Sequence, residues 1–195
     1  MSPRTGRRPG ASDTRGQILD AARRRFAAEG YSAATIRSIA TDAEVDAALV
    51  HHYFGTKAQL FTAALELPVD PGQVTSALLA GPTDEVGRRL VRTFLGVWDS
   101  PTGRHHMRAL VRAAATEAEA ARMLREFLID GLLSPVAESL GGDRPRLRAG
   151  LVGSQMVGLA FLRYVVELDV LTDADHDAIE AALAPTVQRY LTGQV

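Results

Sequence analysis

The sequence predicts an all-α protein, and three observations lead to that prediction. Apolar residues recur every three or four positions through most of the 195 residues, which is the period of one helix face. No segment has the alternating pattern of a half-buried strand, and none resembles a hairpin or a βαβ unit. Hydrophobic residues make up 46% of the chain, enough for one large helical domain or two small ones. We expect about nine helices.

The composition narrows the class of protein further. Cysteine is absent, which excludes disulfides and thiolate zinc sites and suits a reducing cytoplasm. The most apolar stretch, 149–162, is interrupted by Ser154 and Gln155 and is too short to cross a bilayer. No apolar core of signal-peptide length follows the basic N-terminus. We therefore expect a cytoplasmic protein without a membrane partner.

The charge is distributed unevenly, although its total is only −1. Seven arginines fall within the first 25 residues, where only two aspartates oppose them. A basic end of this kind fits local contact with phosphates, and the alternative is a solvated arginine-rich face. Charge alone leaves both interpretations open.

The first helix is predicted from a helical stripe of apolar residues between 18 and 27, with arginines on the other face. Asp13 or Thr14 can cap its start, and Gly30 is placed to end it. The preceding segment, 1–12, is rich in Gly, Pro, Ser and Arg, and we expect it to be a flexible basic arm.

Three short helices are predicted next. Thr35, Asp46 and Thr56 are placed to cap them, because their side-chain oxygens can accept hydrogen bonds from the free N–H groups of a first turn. Gly55 separates the last two helices. We assign 13–66 to one domain.

The remainder of the chain, 67–195, is predicted to be a second helical domain. It begins with a Pro- and Gly-rich segment, 68–82, that has room for one short helix. Helical patterns then run over 83–100, 103–116, 118–140, 144–169 and 172–191.

The second and third helices are short and joined by a tight turn, which is the pattern of a helix-turn-helix. That spacing alone is only moderately specific. The run AEVDAALVHHYFGTKAQLF at 43–61, with AAEGY at 27–31, Thr35 and Ile39-Ala40, is similar to the signature of the tetracycline-repressor (TetR) family. The resemblance is specific over 17–65. It implies a homodimeric, sequence-specific DNA-binding transcription repressor that a small-molecule effector releases from a palindromic operator.

The third helix is the expected reader of double-stranded DNA. It should pack through Leu49 and Phe54 and turn Ala47, Ala48 and His51 toward the major groove, where small side chains approach base edges closely. The other contacts should be to phosphates and to the adjacent minor groove. The full expected set is Arg7, Arg8, Thr35, Arg37, Asp46, Ala47, Ala48, His51, His52, Tyr53 and Lys57.

Several members of this set have a second interpretation. The two arm arginines are expected in the minor groove, and Lys57 near a phosphate at the start of the fourth helix. Thr35 and Asp46 can instead be helix caps alone, and Tyr53 a half-buried core aromatic. His51-His52 does not indicate a metal site, because adjacent helical residues point about 100° apart. We expect no metal and no cofactor.

Two positions depart from the family pattern. Glu44 stands where the family usually has glycine in the turn, so a left-handed backbone there would cost roughly 1 kcal/mol. Asp46 replaces the usual serine or threonine cap. Because an acidic pair beside the groove repels phosphate, we hypothesise that non-specific affinity is low and that specificity depends on fit.

The second domain is expected to carry the dimer interface and the effector pocket. Small residues in the 144–169 helix and an apolar stripe in the last helix suit packing between subunits, and both stripes are alternatively intramolecular core. The expected interface residues are Leu151, Ser154, Gly158, Leu162, Ile179, Leu183 and Val187. The expected pocket residues are Phe94, Trp98, Met107, Leu110, Arg112, Phe127, Gln155, Met156 and Tyr164, with the polar ones orienting the effector.

Two other functions compete with this interpretation. A DNA-binding regulator without small-molecule control would have the same N-terminal domain. A small helical enzyme is disfavoured, because the chain has no Gly-x-Ser-x-Gly elbow, P-loop, dinucleotide fingerprint or His-Glu-x-x-His motif. We expect no enzymatic activity, and the sequence indicates neither the operator nor the identity of the effector.

Overall fold

The structure is a computed structural model that describes residues 11–195, with side chains from Thr14 onward. Within that range every regular element is helical, as predicted. The first four helices are α1 (Ala11–Ala33), α2 (Ile36–Asp42), α3 (Ala47–Phe54) and α4 (Lys57–Ala64). The others are α5 (Pro71–Leu79), α6 (Val86–Trp98), α7 (Pro101–Thr116), α8 (Ala118–Glu126), α9 (Ser134–Ser139), α10 (Pro145–Ala160), α11 (Asp169–Thr172) and α12 (His176–Thr192).

Two π-helical segments extend the long helices of the second half. Phe127–Leu133 joins α8 to α9 without a break, and Phe161–Val165 continues α10. A π-turn holds more residues than an α-turn, so each segment shifts the face that the helix presents beyond it. The short helix for which the 68–82 segment has room is α5. The helix α11 was not expected, and it occupies the junction between the last two predicted helices.

The first helix differs from the prediction at its start and agrees with it at its end. Asp13 and Thr14 lie inside α1 rather than before its first residue, where a cap was predicted. Gly30 has φ 81° and ψ 177°, which breaks the helix and leaves one further turn up to Ala33. Glycine adopts this backbone readily because it has no Cβ.

The predicted arm, 1–12, lies mostly outside the described residues. Arg7 and Arg8 belong to the part that is not described, whereas Ala11 and Ser12 are the first residues of α1.

The predicted caps of α2, α3 and α4 are confirmed. Thr35 and Thr56 each form a reciprocal capping box with the residue three positions further on. Asp46 Oδ1 accepts a hydrogen bond from the N–H of Ala48 at 2.7 Å. Caps of this kind typically contribute about 1 kcal/mol each, and they fix where these short helices begin.

The helices α1–α4, together with Phe127 from the second half, close around one apolar cluster. Ile18, Ile39 and Leu60 are fully buried in it, and the rings of Phe26 and Phe61 meet edge to face with centroids 4.9 Å apart. Burying a side chain of this size contributes about 1.5–3 kcal/mol. The cluster therefore holds the helix-turn-helix rigidly against α1.

The structure corrects the predicted orientation of α3. This helix packs onto the cluster through Ala47, Val50 and Phe54, which are spaced i, i+3 and i+7. Val50 is fully buried, whereas Leu49 is only half-buried. The face of α3 that packs on the cluster therefore includes Ala47, which we expected to turn toward the groove.

The second half closes around another apolar cluster, where α6, α10 and α12 meet. Val91 and Leu95 of α6, Val152 of α10, and Val187 and Leu191 of α12 are fully buried there. These three helices form the body of the domain.

The structure also corrects part of the predicted dimer interface. Ile179 is 7% exposed, Val187 is fully buried, and both belong to this second cluster, with Leu183 packed against it. The apolar stripe of α12 therefore packs against α6 and α10 of the same chain. The alternative of an intramolecular core holds for these three residues.

No helix within 11–195 combines the length and the apolar character needed to cross a membrane. Over the same residues, the histidine and carboxylate side chains do not gather in any group of three that could hold a metal ion.

Candidate nucleic-acid interface and effector cavity

The open face of α3 consists of Ala48, His51 and His52, all of which are exposed. Ala47 is half-buried on the side of the core. The helix therefore presents one small side chain and two imidazoles outward. This face has the size and chemistry needed to approach base edges in a major groove.

The imidazole of His51 is oriented by the backbone. Its Nδ1 lies 2.8 Å from the carbonyl oxygen of Gly55, and because a carbonyl only accepts, Nδ1 carries the proton. Gly55 has φ 73°, the left-handed backbone that ends α3 and brings this carbonyl under the ring. In the neutral ring Nε2 is then a hydrogen-bond acceptor, suited to an exocyclic amino group of adenine or cytosine.

The predicted phosphate contacts lie on the rim around this face. Thr35 and Arg37, at the start of α2, are exposed. Tyr53 is half-buried and packs against the first cluster, with its ring 5.5 Å from that of His52. Thr35 and Asp46 cap α2 and α3, which is the second interpretation that the sequence allowed for them.

Lys57 is more enclosed than the sequence suggested. Its Nζ donates to the carbonyl oxygen of Ser32 at 3.1 Å and lies 4.6 Å from the centroid of the Tyr31 ring. Burial lowers the pKa of the Lys57 ammonium, against the opposing charges of Glu126 and Asp130. The side chain of Lys57 thus ties α4 to the end of α1. A DNA phosphate would have to compete with the Ser32 carbonyl oxygen for the ammonium group.

Arg15 is a basic residue of this surface that sequence reasoning missed. It is exposed on α1, and its guanidinium carbon lies 5.1 Å from the centroid of the Phe54 ring, at the end of α3. The signal was present in the run of N-terminal arginines. Only the tertiary fold, which brings this turn of α1 to the end of α3, places Arg15 beside the helix-turn-helix.

The two acids expected to weaken non-specific binding lie in the turn between α2 and α3. Glu44 has φ 55°, the left-handed backbone expected there, and both Glu44 and Asp46 are exposed. Their carboxylates therefore face solvent beside the open face of α3.

A cavity of about 140 Å³ lies between the segment that follows α4, the helices α5–α8, the π-helical segment Phe127–Leu133 and α10. Six predicted pocket residues line it. They are Phe94, Trp98, Met107, Leu110, Phe127 and Met156.

The three polar residues expected in the pocket do not line it. Arg112 is exposed on α7, and Gln155 is half-buried beside Ser154. Tyr164 is buried behind Phe94, with ring centroids 6.4 Å apart. The helical phase of α7 and α10 turns these polar groups away, so the cavity is apolar.

Phe127 connects the cavity to the helix-turn-helix. It lines the cavity, and its ring also stacks on Phe61 of α4 with centroids 4.9 Å apart. The same ring meets Tyr31 edge to face at 5.8 Å. A ligand that displaced Phe127 would therefore disturb the aromatic packing of α1 and α4 directly.

Polar contacts hold the same junction together. Arg122 of α8 donates to the carbonyl oxygen of Glu29 at 2.7 Å, beside the break at Gly30. Glu126 accepts from the N–H of Ser32 at 2.8 Å. Burial disfavours ionised Glu126, but this hydrogen bond and the charge of Arg122 lower its pKa overall. The carboxylate therefore stays ionised and holds the end of α1 on α8.

An exposed apolar face runs along α10 and the segment that follows it. Of the nine large apolar side chains that stand exposed in the described residues, eight lie between 147 and 170. Phe161 and Val166 are 45% and 50% exposed, and Gly158 has open space where a side chain would stand. Patches of this kind on a soluble protein commonly mark an interaction surface.

The comparisons with known proteins give the class of this protein. A family model described as bacterial regulatory proteins, tetR family, matches residues 18–64. A second, described as tetracyclin repressor-like, C-terminal domain, matches residues 84–191, which is more than half of the chain. The chain therefore belongs to the TetR family and is a DNA-binding transcriptional regulator rather than an enzyme.

Similar proteins include regulators of known name. The HTH-type transcriptional repressor Rv3405c of Mycobacterium tuberculosis is 31% identical over 205 residues, covering 94% of this chain and 97% of the relative. A solved TetR-family regulator of Streptomyces coelicolor is 38% identical, covers 96% of this chain and 99% of its own, and has a TM-score of 0.47. NalD of Pseudomonas aeruginosa, a repressor of a multidrug efflux pump, has 22% identity, coverages of 94% and 98%, and the same TM-score.

Proposed function

We propose that this protein is a homodimeric repressor that binds a palindromic operator and is released by a small-molecule effector. The position of Phe127 carries the proposal, because one ring both lines the cavity and packs on the helix-turn-helix. Binding of a ligand in the cavity and binding of the operator would then favour different arrangements of α1 and α4, so each opposes the other. A coupling of about 1–3 kcal/mol suffices for regulation of this kind. The relative named as a repressor supports the direction of control.

The proposed DNA surface is centred on α3. Ala48, His51 and His52 face the major groove, and Arg15 joins the phosphate contacts that the sequence suggested. The full proposed set, with the two arm residues outside the described range, is Arg7, Arg8, Arg15, Thr35, Arg37, Asp46, Ala48, His51, His52, Tyr53 and Lys57. Ala47 contributes by its position in the first turn of α3 rather than by its half-buried side chain.

The proposed dimer interface is the exposed face of α10 and its π-helical extension. Ser154 and Gly158 are exposed there, Leu151 is half-buried, and Leu162 is 38% exposed. Small residues let a helix of the second subunit approach closely, and the flanking apolar side chains supply area to bury. Two copies joined here would present two recognition helices to one duplex, as a palindrome requires.

The domain division is proposed from the turn of the chain after α4. We propose the boundary at Glu66, between the helix-turn-helix part, 13–66, and the effector-binding and dimerising part, 67–195. Glu66 has φ 54°, and the chain turns there from the first cluster into the Pro- and Gly-rich segment.

Selection of bound fragments from the source genome with purified protein tests the operator model. The expected result is a palindrome with half-sites about 10 base pairs apart, on one face of the duplex. A single asymmetric half-site would contradict the dimer model. Failure to enrich any sequence would contradict specific DNA binding.

Effector control is tested on the same protein and the selected operator. A broad library of small molecules is screened by thermal shift, and stabilising compounds are retested for release of the operator. Stabilisation together with release supports the proposal. If no compound does both, the protein is a DNA-binding regulator without small-molecule control.

A further inference from the structure

The wall of the cavity defines a chemical class of ligand. Its lining includes Leu90, Val97, Leu128 and Leu132 beside the aromatic and methionine side chains named above. Over the described residues, no charged side chain lines it. Thr93 and Trp98 are the lining residues whose side chains carry an N–H or O–H group, and nearly all of the cavity surface is apolar.

Charged ligands are excluded by this wall. A buried ammonium or carboxylate needs an opposite charge or several hydrogen bonds, and the lining offers neither. A neutral, apolar ligand carries no such penalty, and the apolar wall suits it.

The volume limits the size of the ligand. Pockets for drug-sized molecules enclose about 300–1,000 Å³, whereas this cavity holds about 140 Å³. An apolar cavity of about 150 Å³ in another protein holds a molecule the size of benzene. A single ring with one or two small substituents therefore fills this cavity without moving its walls.

We propose that the effector is a neutral, predominantly apolar molecule of about one substituted ring, held by the apolar wall of the cavity. This inference rests on the proposed function and adds the class of the effector. The ring would lie against Phe127, whose other face packs on Phe61. A ligand bound in the cavity would thus affect the helix-turn-helix through the Phe127 side chain.

Gly153 offers a way to fill the cavity by substitution. It lines the cavity from α10, and a Cβ at this position would meet Leu133 Cδ1 at 3.7 Å, an ordinary contact. A leucine side chain at this position would extend into the cavity and occupy part of its volume. Gly96 of α6 is a matched control, because it is exposed, helical and has nothing within 4 Å of an added Cβ.

The experiment measures binding of four probes to the full-length protein by calorimetry and thermal shift. The probes are ethylbenzene, benzyl alcohol, benzylammonium and benzoate, which are similar in size and differ in charge. We expect the two neutral probes to bind with dissociation constants on the order of 0.1 mM, since so small a ligand buries little area. We expect the two ions to bind at least about 10-fold more weakly.

The variants locate that binding. Gly153→Leu should weaken binding of the neutral probes by at least about 10-fold, Gly153→Ala should weaken it less, and Gly96→Leu should leave it within about 2-fold. Circular dichroism and sedimentation check that each variant folds and keeps its oligomeric state. Equal binding of ions and neutral probes, no binding of the neutral probes, or undiminished binding to a folded Gly153→Leu or Gly153→Ala would overturn the proposal.

The same samples separate this inference from the proposed function. Protein that binds its operator but none of the neutral probes refutes the ligand class and leaves DNA binding intact. Protein that binds the probes but no DNA sequence refutes the proposed function and leaves the ligand class supported.

Discussion

At the scale of single residues, the turn of the helix-turn-helix is set by two acids with different effects. Glu44 holds a left-handed backbone that favours glycine, and Asp46 caps the recognition helix. The left-handed backbone at Glu44 destabilises the fold, and the cap at Asp46 stabilises it. Both add negative charge beside the surface that we propose for DNA.

Replacing Glu44 separates backbone strain from charge. Glu44→Gly should raise the free energy of unfolding by about 1 kcal/mol, because glycine adopts φ 55° without a Cβ clash. Glu44→Ala removes the same charge and keeps the Cβ, so it should give no such gain. Urea unfolding at fixed protein concentration measures both. Equal stability of the two variants would contradict the role of strain.

Replacing Asp46 tests the charge itself. Asp46→Ser keeps a capping oxygen, so stability should change little, while affinity for random-sequence DNA at low salt should rise about 2- to 5-fold. Asp175→Ser is the matched control, because Asp175 is also an exposed N-cap but belongs to α12. Fluorescence anisotropy measures the affinities. Unchanged affinity of Asp46→Ser would show that this acid does not limit non-specific binding.

At the scale of elements, one carboxylate ties α12 to α6. Glu180 is 4% exposed and accepts from Arg92 Nε at 2.8 Å, with Arg88 as its second partner. The hydrogen bond from Arg92, and then that from Arg88, lower the pKa of Glu180 against the effect of burial. A carboxyl with a lowered pKa in the folded state stabilises the fold above its ordinary pKa, and this stabilisation is lost as the pH falls through the lowered value.

The pH dependence of this tie can be measured. Glu180→Gln should lower the free energy of unfolding at pH 7 by about 1 kcal/mol, a modest loss because both arginines are more than half exposed. The difference from wild type should shrink as the pH falls below roughly 4. Urea unfolding from pH 7 downward measures it, with the exposed Glu138→Gln as the control. A difference that stays constant with pH would contradict an ionised Glu180 as its source.

At the scale of the whole molecule, the exposed apolar face of α10 and its extension is the surface that one chain leaves uncovered. The three apolar clusters of the described residues are each closed within a single chain, so the exposed side chains of this face take no part in them. Pairing of two chains there would couple their recognition helices. Coupled binding of two sites commonly raises affinity by 10²–10⁴-fold.

A charge on this face should separate the subunits. Leu162→Glu should give a monomer in sedimentation and weaken operator binding by at least about 100-fold, because a buried unpaired carboxylate opposes association. Leu79→Glu is the matched control, since Leu162 and Leu79 are 38% and 37% exposed and Leu79 lies on α5. A dimeric Leu162→Glu that binds the operator normally would contradict the proposed interface.

Much of the helix-turn-helix could be predicted from the sequence because its signals are local. The caps at Thr35, Asp46 and Thr56 and the breaks at Gly30 and Gly55 depend on side chains within a few residues of the backbone that they stabilise. The phase of α3 was predicted less well. Alanine and leucine suit either face of a helix, and only packing on the first apolar cluster decided that Ala47 turns inward and Leu49 partly outward.

The second half depended more on tertiary structure. The stripe of Ile179, Leu183 and Val187 fits a dimer interface and an intramolecular core equally well, and packing against α6 decided for the core. The polar groups expected in the pocket were turned away from it by the phase of α7 and α10. Local pattern carries no information about which neighbour covers an apolar face.

The helical class, the motif and the family can be read from the sequence, because helix periodicity, caps and the run at 43–61 act over short distances along the chain. Packing of the helices settles which apolar faces close within one chain, which face stays exposed, and that Phe127 joins the cavity to the helix-turn-helix. These features depend on contacts between residues far apart in the sequence. Such contacts form only when the helices pack in three dimensions.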